Sequence, residues 1–210
     1  VKSTSSRAGR DDNMTDSPGS GHRLAAMIRE RINGSVSAIE SLRDQTATLA
    51  EICTAVVRTL QHGATVYTCG NGGSAAQALH LAEELIGRYR ANRPPHRAVC
   101  LNADPTALTC IANDFGFDQV FARQCRALLQ AGDALIAFST SGNSENVLEA
   151  LREAKQKGSL AIGLLGRDGG GCRAICDIAL VIPSEDSAFI QDAHQVALHA
   201  ICEAVEGMES

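Results

Sequence analysis

Apolar residues recur every three or four positions from Leu24 through Met27, Ile28, Ile32, Val36, Ile39 and Leu42, one stripe along about six helical turns. A second helical pattern follows, with Leu49, Ile52, Val56, Val57 and Leu60 ahead of a Gly63 stop. From residue 64 the period shortens. Apolar runs at 64–67, 97–101, 133–138, 160–165 and 178–182 read as strands, the third nearly all apolar, as a parallel strand buried on both faces should be. Between them lie helical patterns after Ser74, from about 117 to 130, at 145–157 and at 187–206, with a polar-capped segment at 104–112 leading to Asn113-Asp114-Phe115-Gly116-Phe117. Strands alternating with helices over short connections predict an α/β fold with a parallel sheet sandwiched between helices. The stripe at 24–42 exceeds the cover one small sheet needs, so part of it is expected to pack against another subunit. Residues 1–22 are polar, rich in Ser, Gly, Asp and Arg, and predict a disordered tail, with residues 23–210 forming a single domain. Val1 is an unusual first residue, and Met14 offers an alternative start within that tail.

Composition narrows the function classes. The chain has 210 residues and a formal net charge of −5, with Lys and Arg scattered rather than banded, which argues against a nucleic-acid surface. No apolar run reaches the roughly 18 residues that span a bilayer, and no apolar signal core opens the chain, so no membrane partner and a cytoplasmic location are expected. Eight cysteines lie mostly inside apolar patterns without a CxxC pair, which predicts buried free thiols rather than disulfides. Cys172 and Cys176 have the spacing of helical metal ligands, but no second Cys/His pair accompanies them.

Candidate chemistry collects where strands end. Gly70-Asn71-Gly72-Gly73-Ser74 breaks the first strand and opens a helix. Such a loop lets backbone amides approach a phosphate or another anion at the positive end of the helix dipole, although glycine turns are common in α/β proteins without any ligand. His80 and Glu84 then share one helix face about 6 Å apart along the axis, a spacing that serves a metal, a substrate-facing pair or a plain surface pair. Ser139-Thr140-Ser141-Gly142-Asn143-Ser144 supplies four hydroxyls and a glycine ahead of the next helix. Capping needs one hydroxyl; four predict a phosphate site. The last helix carries Gln191, Asp192, His194 and His199, and its pattern alone does not choose between the two histidines.

Taken together, CGNGGS with His80 and Glu84, EELIGRYR, IANDFGF, FSTSGNS, GRDGG and IQDAHQVALH resemble the sugar isomerase (SIS) domain family and, within it, the phosphoheptose isomerases. The likeness runs unbroken from about residue 24 to the C-terminus. It implies a flavodoxin-like three-layer sandwich with an N-terminal helical extension, assembled as a homotetramer with active sites at subunit interfaces. Carried over by position, it assigns Asn71, Gly72, Gly73 and Ser74 to the substrate loop. Ser139, Thr140, Ser141 and Ser144 would take the sugar phosphate, Asn113 and Asp114 the sugar hydroxyls, and Arg88 would stand near the substrate. His80, Glu84, Gln191 and His199 match a zinc site of one ion per subunit, with Gln191 and Glu84 also toward substrate. The chain departs from the commonest family pattern at Gln77, Phe189 and Asp192.

The implied reaction interconverts sedoheptulose 7-phosphate and D-glycero-D-manno-heptose 7-phosphate in heptose nucleotide biosynthesis, with Glu84 as base and His199 as acid. The alternative is a non-catalytic SIS protein that binds a replication initiator or senses a sugar phosphate; the complete set of Glu84, His199 and Ser141 favours the enzyme. One geometric constraint stands beside this. A straight helix holds Gln191 and His199 about 12 Å apart along its axis, so both reach one ion only if the helix starts irregularly or the two come from different subunits; otherwise they bind different atoms.

Overall fold

The apolar runs form one five-stranded parallel sheet. In the computed structural model, which describes residues 20–207, β1 (Val66–Gly70), β2 (Ala98–Cys100), β3 (Ala134–Ser139), β4 (Leu160–Gly166) and β5 (Ile178–Ile182) lie in the order β2-β1-β3-β4-β5. Side chains alternate between two cores. Val66, Ile136, Phe138, Ile162 and Leu164 face one; Tyr67, Cys69, Leu135, Ala137 and Leu165 face the other. The first core is covered by α2 (Thr46–Gln61), α3 (Gly73–Ile86) and α8 (Ser187–Glu206), which bring Ile52, Val56, Leu81, Leu85, Leu198 and Ile201. The second is covered by α4 (Pro105–Phe115), α5 (Ala122–Leu128), α6 (Glu145–Gln156) and α7 (Gly170–Ile175), through Ile111, Cys125, Val147, Leu151 and Cys172. This is the expected three-layer sandwich. The strand order reverses between β1 and β3, so the loops after these two strands flank the crevice where open α/β sheets bind ligands.

The described residues divide between Asn33 and Gly34 into two units. In the first, residues 20–33 belong to α1 (Ser20–Glu40) and expose Leu24, Met27, Ile28 and Ile32, each by about half. In the second, Ala38 near the end of α1 and Leu42 in the turn that follows it are buried in the first core. The tail expected over 1–22, with Met14, lies outside the described residues as far as position 19. At its end the expectation fails, because α1 already contains Ser20, Gly21 and His22. A nucleated helix gains one hydrogen bond for each residue it adds and needs no apolar contact to do so.

Three boundaries differ from the periodic pattern. The first stripe is interrupted by a 3-10 turn at Ser41–Gln45, where Gln45 holds both backbone groups of Val181 through its side-chain amide. The helix expected over about 117–130 contracts to α5 behind a 3-10 turn at Phe117–Gln119. The glycine-rich stretch 169–171 starts the short helix α7, which the pattern did not predict. No helix among the described residues is long and apolar enough to cross a membrane.

Candidate active site

The glycine loop is held by amides. Asn102 accepts a hydrogen bond from the Gly70 N–H (3.2 Å) and donates to its carbonyl (2.9 Å), while Asn71 and Asn146 exchange side-chain hydrogen bonds of 2.8 and 2.9 Å. Gly72 has φ +55, a conformation that disfavours side chains, and a Cβ at Gly70 would lie 2.7 Å from the Ser74 carbonyl oxygen. Ser74 is buried at the start of α3. A cavity of about 280 Å³ adjoins this loop, lined by Asn71, Gly72, Asn102, Thr109, Ala112 and Phe117. A larger one, about 820 Å³, opens at the amino-terminal ends of the strands beside Arg58, His62, Gly132 and Ile178 and contains none of the candidate residues. Asn113 and Asp114 stand exposed at the end of α4, with the Asn113 amide donating to Asp114 at 2.7 Å.

Across the switch point, the hydroxyl loop folds on itself. Ser139 Oγ accepts from the Gly142 N–H and Ser141 Oγ from the Asn143 N–H, both at 3.1 Å, while Thr140 pairs with Ser187 at 3.2 Å. Gly142 has φ +64, and a Cβ there would lie 2.0 Å from the Gly169 carbonyl oxygen, so the loop closes against the segment after β4. Ser144 is the N-cap of α6 but makes no side-chain capping hydrogen bond. The opening turn of α6 therefore has donors to offer an anion.

His80, Glu84 and His199 lie elsewhere, along the seam between α3 and α8. His80 Nε2 is 3.1 Å from Glu84 Oε1. His80 and His199 rings stand edge to face with centroids 5.4 Å apart, and Tyr89 lies 5.4 Å from His199. Gln195, which the sequence reading passed over, places its amide nitrogen 2.9 Å from His80 Nδ1 and 3.0 Å from His199 Nε2. Its signal was available: it precedes His199 by four, on the same helical face. Glu83 was also missed, and its carboxylate joins the His80 imidazole and the Glu84 carboxylate in a group whose donor atoms all lie within 4.8 Å of one another. Arg93 caps the end of α3, donating to the carbonyls of Glu84 (2.6 Å) and Leu85 (3.0 Å).

His194 separates from His199 here. It is fully buried, Nε2 3.0 Å from the Leu165 carbonyl, and burial holds its imidazole well below the ordinary range, at about 4. It is a core residue. The thiols of Cys172 and Cys176 are likewise pushed up to about 12 by burial, and all eight cysteines are free.

Not every assigned residue joins its group within one chain. Gln191 packs over the glycine loop, where a Cβ on Gly73 would lie 2.5 Å from its Nε2. It sits well inside α8, which begins at Ser187, so an irregular helix start does not bring it to His199. Arg88 follows the far end of α3, about 20 Å along that helix from Gly73, and donates to the Arg90 carbonyl. His80 is about 10 Å down α3 from the same glycine.

A doubly covered parallel sheet with glycine- and hydroxyl-rich loops on both sides of its switch point is an α/β arrangement of the SIS type, and the SIS domain family model matches residues 30–166. Within that class the chain belongs to the phosphoheptose isomerase family. It is 46% identical over 183 residues to the phosphoheptose isomerase of Campylobacter concisus, covering 87% of this chain and 97% of that one. Among solved structures it is similar to phosphoheptose isomerase GmhA from Neisseria gonorrhoeae, with TM-score 0.80, 38% identity, and 89% and 98% of the two chains covered. A phosphoheptose isomerase from Francisella tularensis matches with TM-score 0.82, 32% identity, and 90% and 98% coverage.

Proposed function

We propose that the protein is an aldose–ketose isomerase converting sedoheptulose 7-phosphate to D-glycero-D-manno-heptose 7-phosphate for heptose nucleotide biosynthesis. The observation that carries this reading is the meeting of Glu84, His80 and His199 on one helix seam in a chain of the phosphoheptose isomerase family. Isomerisation moves a proton between C1 and C2 through an enediol, which requires a base, a group that returns the proton, and stabilisation of the oxyanion. Glu84 takes the carbon-bound proton and His199 shuttles one at the sugar oxygens. Ser139, Thr140, Ser141 and Ser144, with the opening turn of α6, hold the phosphate. Asn71, Gly72, Gly73 and Ser74 hold the sugar backbone, and Asn113 and Asp114 its hydroxyls.

The donor set fits a divalent ion such as zinc, one per subunit. Two ligands of a tetrahedral ion, each about 2.0–2.2 Å from it, stand about 3.4 Å apart, close to the 3.1 Å between His80 Nε2 and Glu84 Oε1. His80 and Glu84 would hold it, with His199 beside them, and it would supply Lewis-acid polarisation of the sugar oxygens. Gln191 of the same chain lies too far along α8 to share an ion with His199. Its place in a common site therefore calls for a neighbouring subunit, as do the roughly 10 Å from His80 to the glycine loop and the placing of Arg88.

A homotetramer with interfacial sites accounts for these separations and for the exposed Leu24, Met27, Ile28, Ile32 and Val36. Residues 23–210 are taken as one domain because the family match begins at residue 30 and continues past the division at 33. Eight free thiols suit a reducing, cytoplasmic setting. The test is turnover of sedoheptulose 7-phosphate by purified protein after chelation and after zinc repletion. Zinc-restored turnover is expected. A folded, zinc-loaded protein without turnover would move the substrate elsewhere, and one with neither zinc nor turnover would make the non-catalytic reading the better one.

A further inference from the structure

The amide of Gln195 touches both histidines through one atom, 2.9 Å from His80 Nδ1 and 3.0 Å from His199 Nε2. An amide nitrogen has two N–H groups and donates to both rings; turned over, its carbonyl oxygen has two lone pairs and accepts from both. In either orientation the two rings must show Gln195 the same kind of atom. Their tautomers are therefore linked.

The third contact breaks the tie between the orientations. With the NH₂ group inward, His80 Nδ1 is a lone pair, Nε2 carries the proton, and that N–H donates to Glu84 Oε1 at 3.1 Å. His199 is then protonated at Nδ1. With the carbonyl inward, His80 carries its proton on Nδ1, and the bare Nε2 faces the Glu84 carboxylate. A lone pair 3.1 Å from an anionic oxygen is repelled unless a cation lies between them. That cation is also the setting in which a ligating histidine gives its other N–H to a carbonyl.

We infer that Gln195 is a positioning residue that makes the tautomer of His199 follow cation occupancy at His80 and Glu84. Metal-free protein holds His80 as the Nε2–H form and His199 as the Nδ1–H form. With a divalent ion bound there, the amide would turn over, each ring would by exchange with water carry its proton on the nitrogen facing Gln195, and His80 Nε2 would be free to ligate and His199 Nδ1 to accept a proton from substrate. This rests on the divalent-ion reading of the site. Phe189, Asp192 and the other departures from family pattern play no part in it.

The experiment is ¹⁵N-histidine NMR of the full-length protein at pH 8, metal-free and with one equivalent of zinc, with zinc affinity measured against a chromophoric chelator. In the wild type, zinc is expected to reverse the tautomers of both rings in one step. In Gln195→Met, which keeps the bulk without donor or acceptor, His80 should still respond to zinc while His199 no longer follows, and affinity should fall about 10-fold. Gln195→Glu accepts but never donates; it should keep a proton on His80 Nδ1 and on His199 Nε2 even without zinc, which a packing role would not produce. His199 following zinc in Gln195→Met as it does in the wild type would overturn the proposal. So would a wild type in which zinc engages His80 and leaves His199 unchanged. A wild type that takes no zinc would remove both the switch and the metal of the proposed function.

Discussion

The two candidate regions of this chain, the strand-end loops and the helix seam, are built differently. The loops at 70–74 and 139–144 are each a continuous run of sequence whose glycines and hydroxyls serve one another: Ser139 and Ser141 bind backbone within three residues, and Gly142 leaves room for the Gly169 carbonyl. The α3–α8 seam joins residues more than a hundred positions apart, with Gln195 reaching His80 and Gln77 donating to the Gln191 carbonyl at 2.7 Å. The loops take their shape from local conformation. The seam exists only because two amphipathic helices cover the same face of the sheet.

The comparison predicts that the seam governs the chemical step and the loops govern binding. Glu84→Gln and His199→Ala should each lower kcat by roughly 10²- to 10⁴-fold with little change in KM. A loss confined to KM would place these residues in binding and undo the division.

Stability should show the reverse ordering. Gly142→Ala combines a positive φ with a Cβ 2.0 Å from backbone, and should cost roughly 3–5 kcal/mol in urea unfolding. Gly73→Ala meets only the tip of the Gln191 side chain, and the helix preference of Ala offsets that contact, so it should change stability by less than about 1 kcal/mol. Equal losses at the two glycines would show that loop closure is not the constraint described.

His194 tests the core beneath the seam. Its folded value of about 4 lies below the ordinary 6.5, so between those values the unfolded chain binds the extra proton and stability rises with pH. The contribution is complete above about pH 6.5 and is lost as pH falls toward 4, on the order of 3 kcal/mol in all. In His194→Gln, which keeps a donor for the Leu165 carbonyl, the fall in unfolding free energy from pH 7 to pH 4.5 should shrink by about 2 kcal/mol. An unchanged fall would assign the pH dependence to other groups.

The smallest effect belongs to a single loop hydroxyl. Ser141→Ala should raise KM about 10-fold at unchanged kcat, the worth of one hydrogen bond to a charged phosphate. Separately, Ile28→Glu with Ile32→Glu should convert a tetramer to smaller species in sedimentation. A tetramer that persists would leave the exposed stripe without that role.

The sequence by itself determined the layers and the loops. Five apolar runs with helices between them admit a parallel sheet and little else, and glycine and hydroxyl clusters mark the loops at strand ends because backbone conformation is a local property. Its errors fell where register is not local: a helix continued to Ser20, one interrupted at Ser41–Gln45 by a side chain reaching β5, and a short α7 packed on α6. The seam was legible only in part. Spacing paired His80 with Glu84, but His194 and His199 were equivalent until α8 docked and turned one into the core and the other toward His80. The spacing of Gln195 put it on the face of His199, but its partner across the seam, His80, was decided only by that docking. The long distances from Arg88 and Gln191 to the groups they were assigned to are likewise a property of straight helices laid on a sheet, which no list of motifs contains.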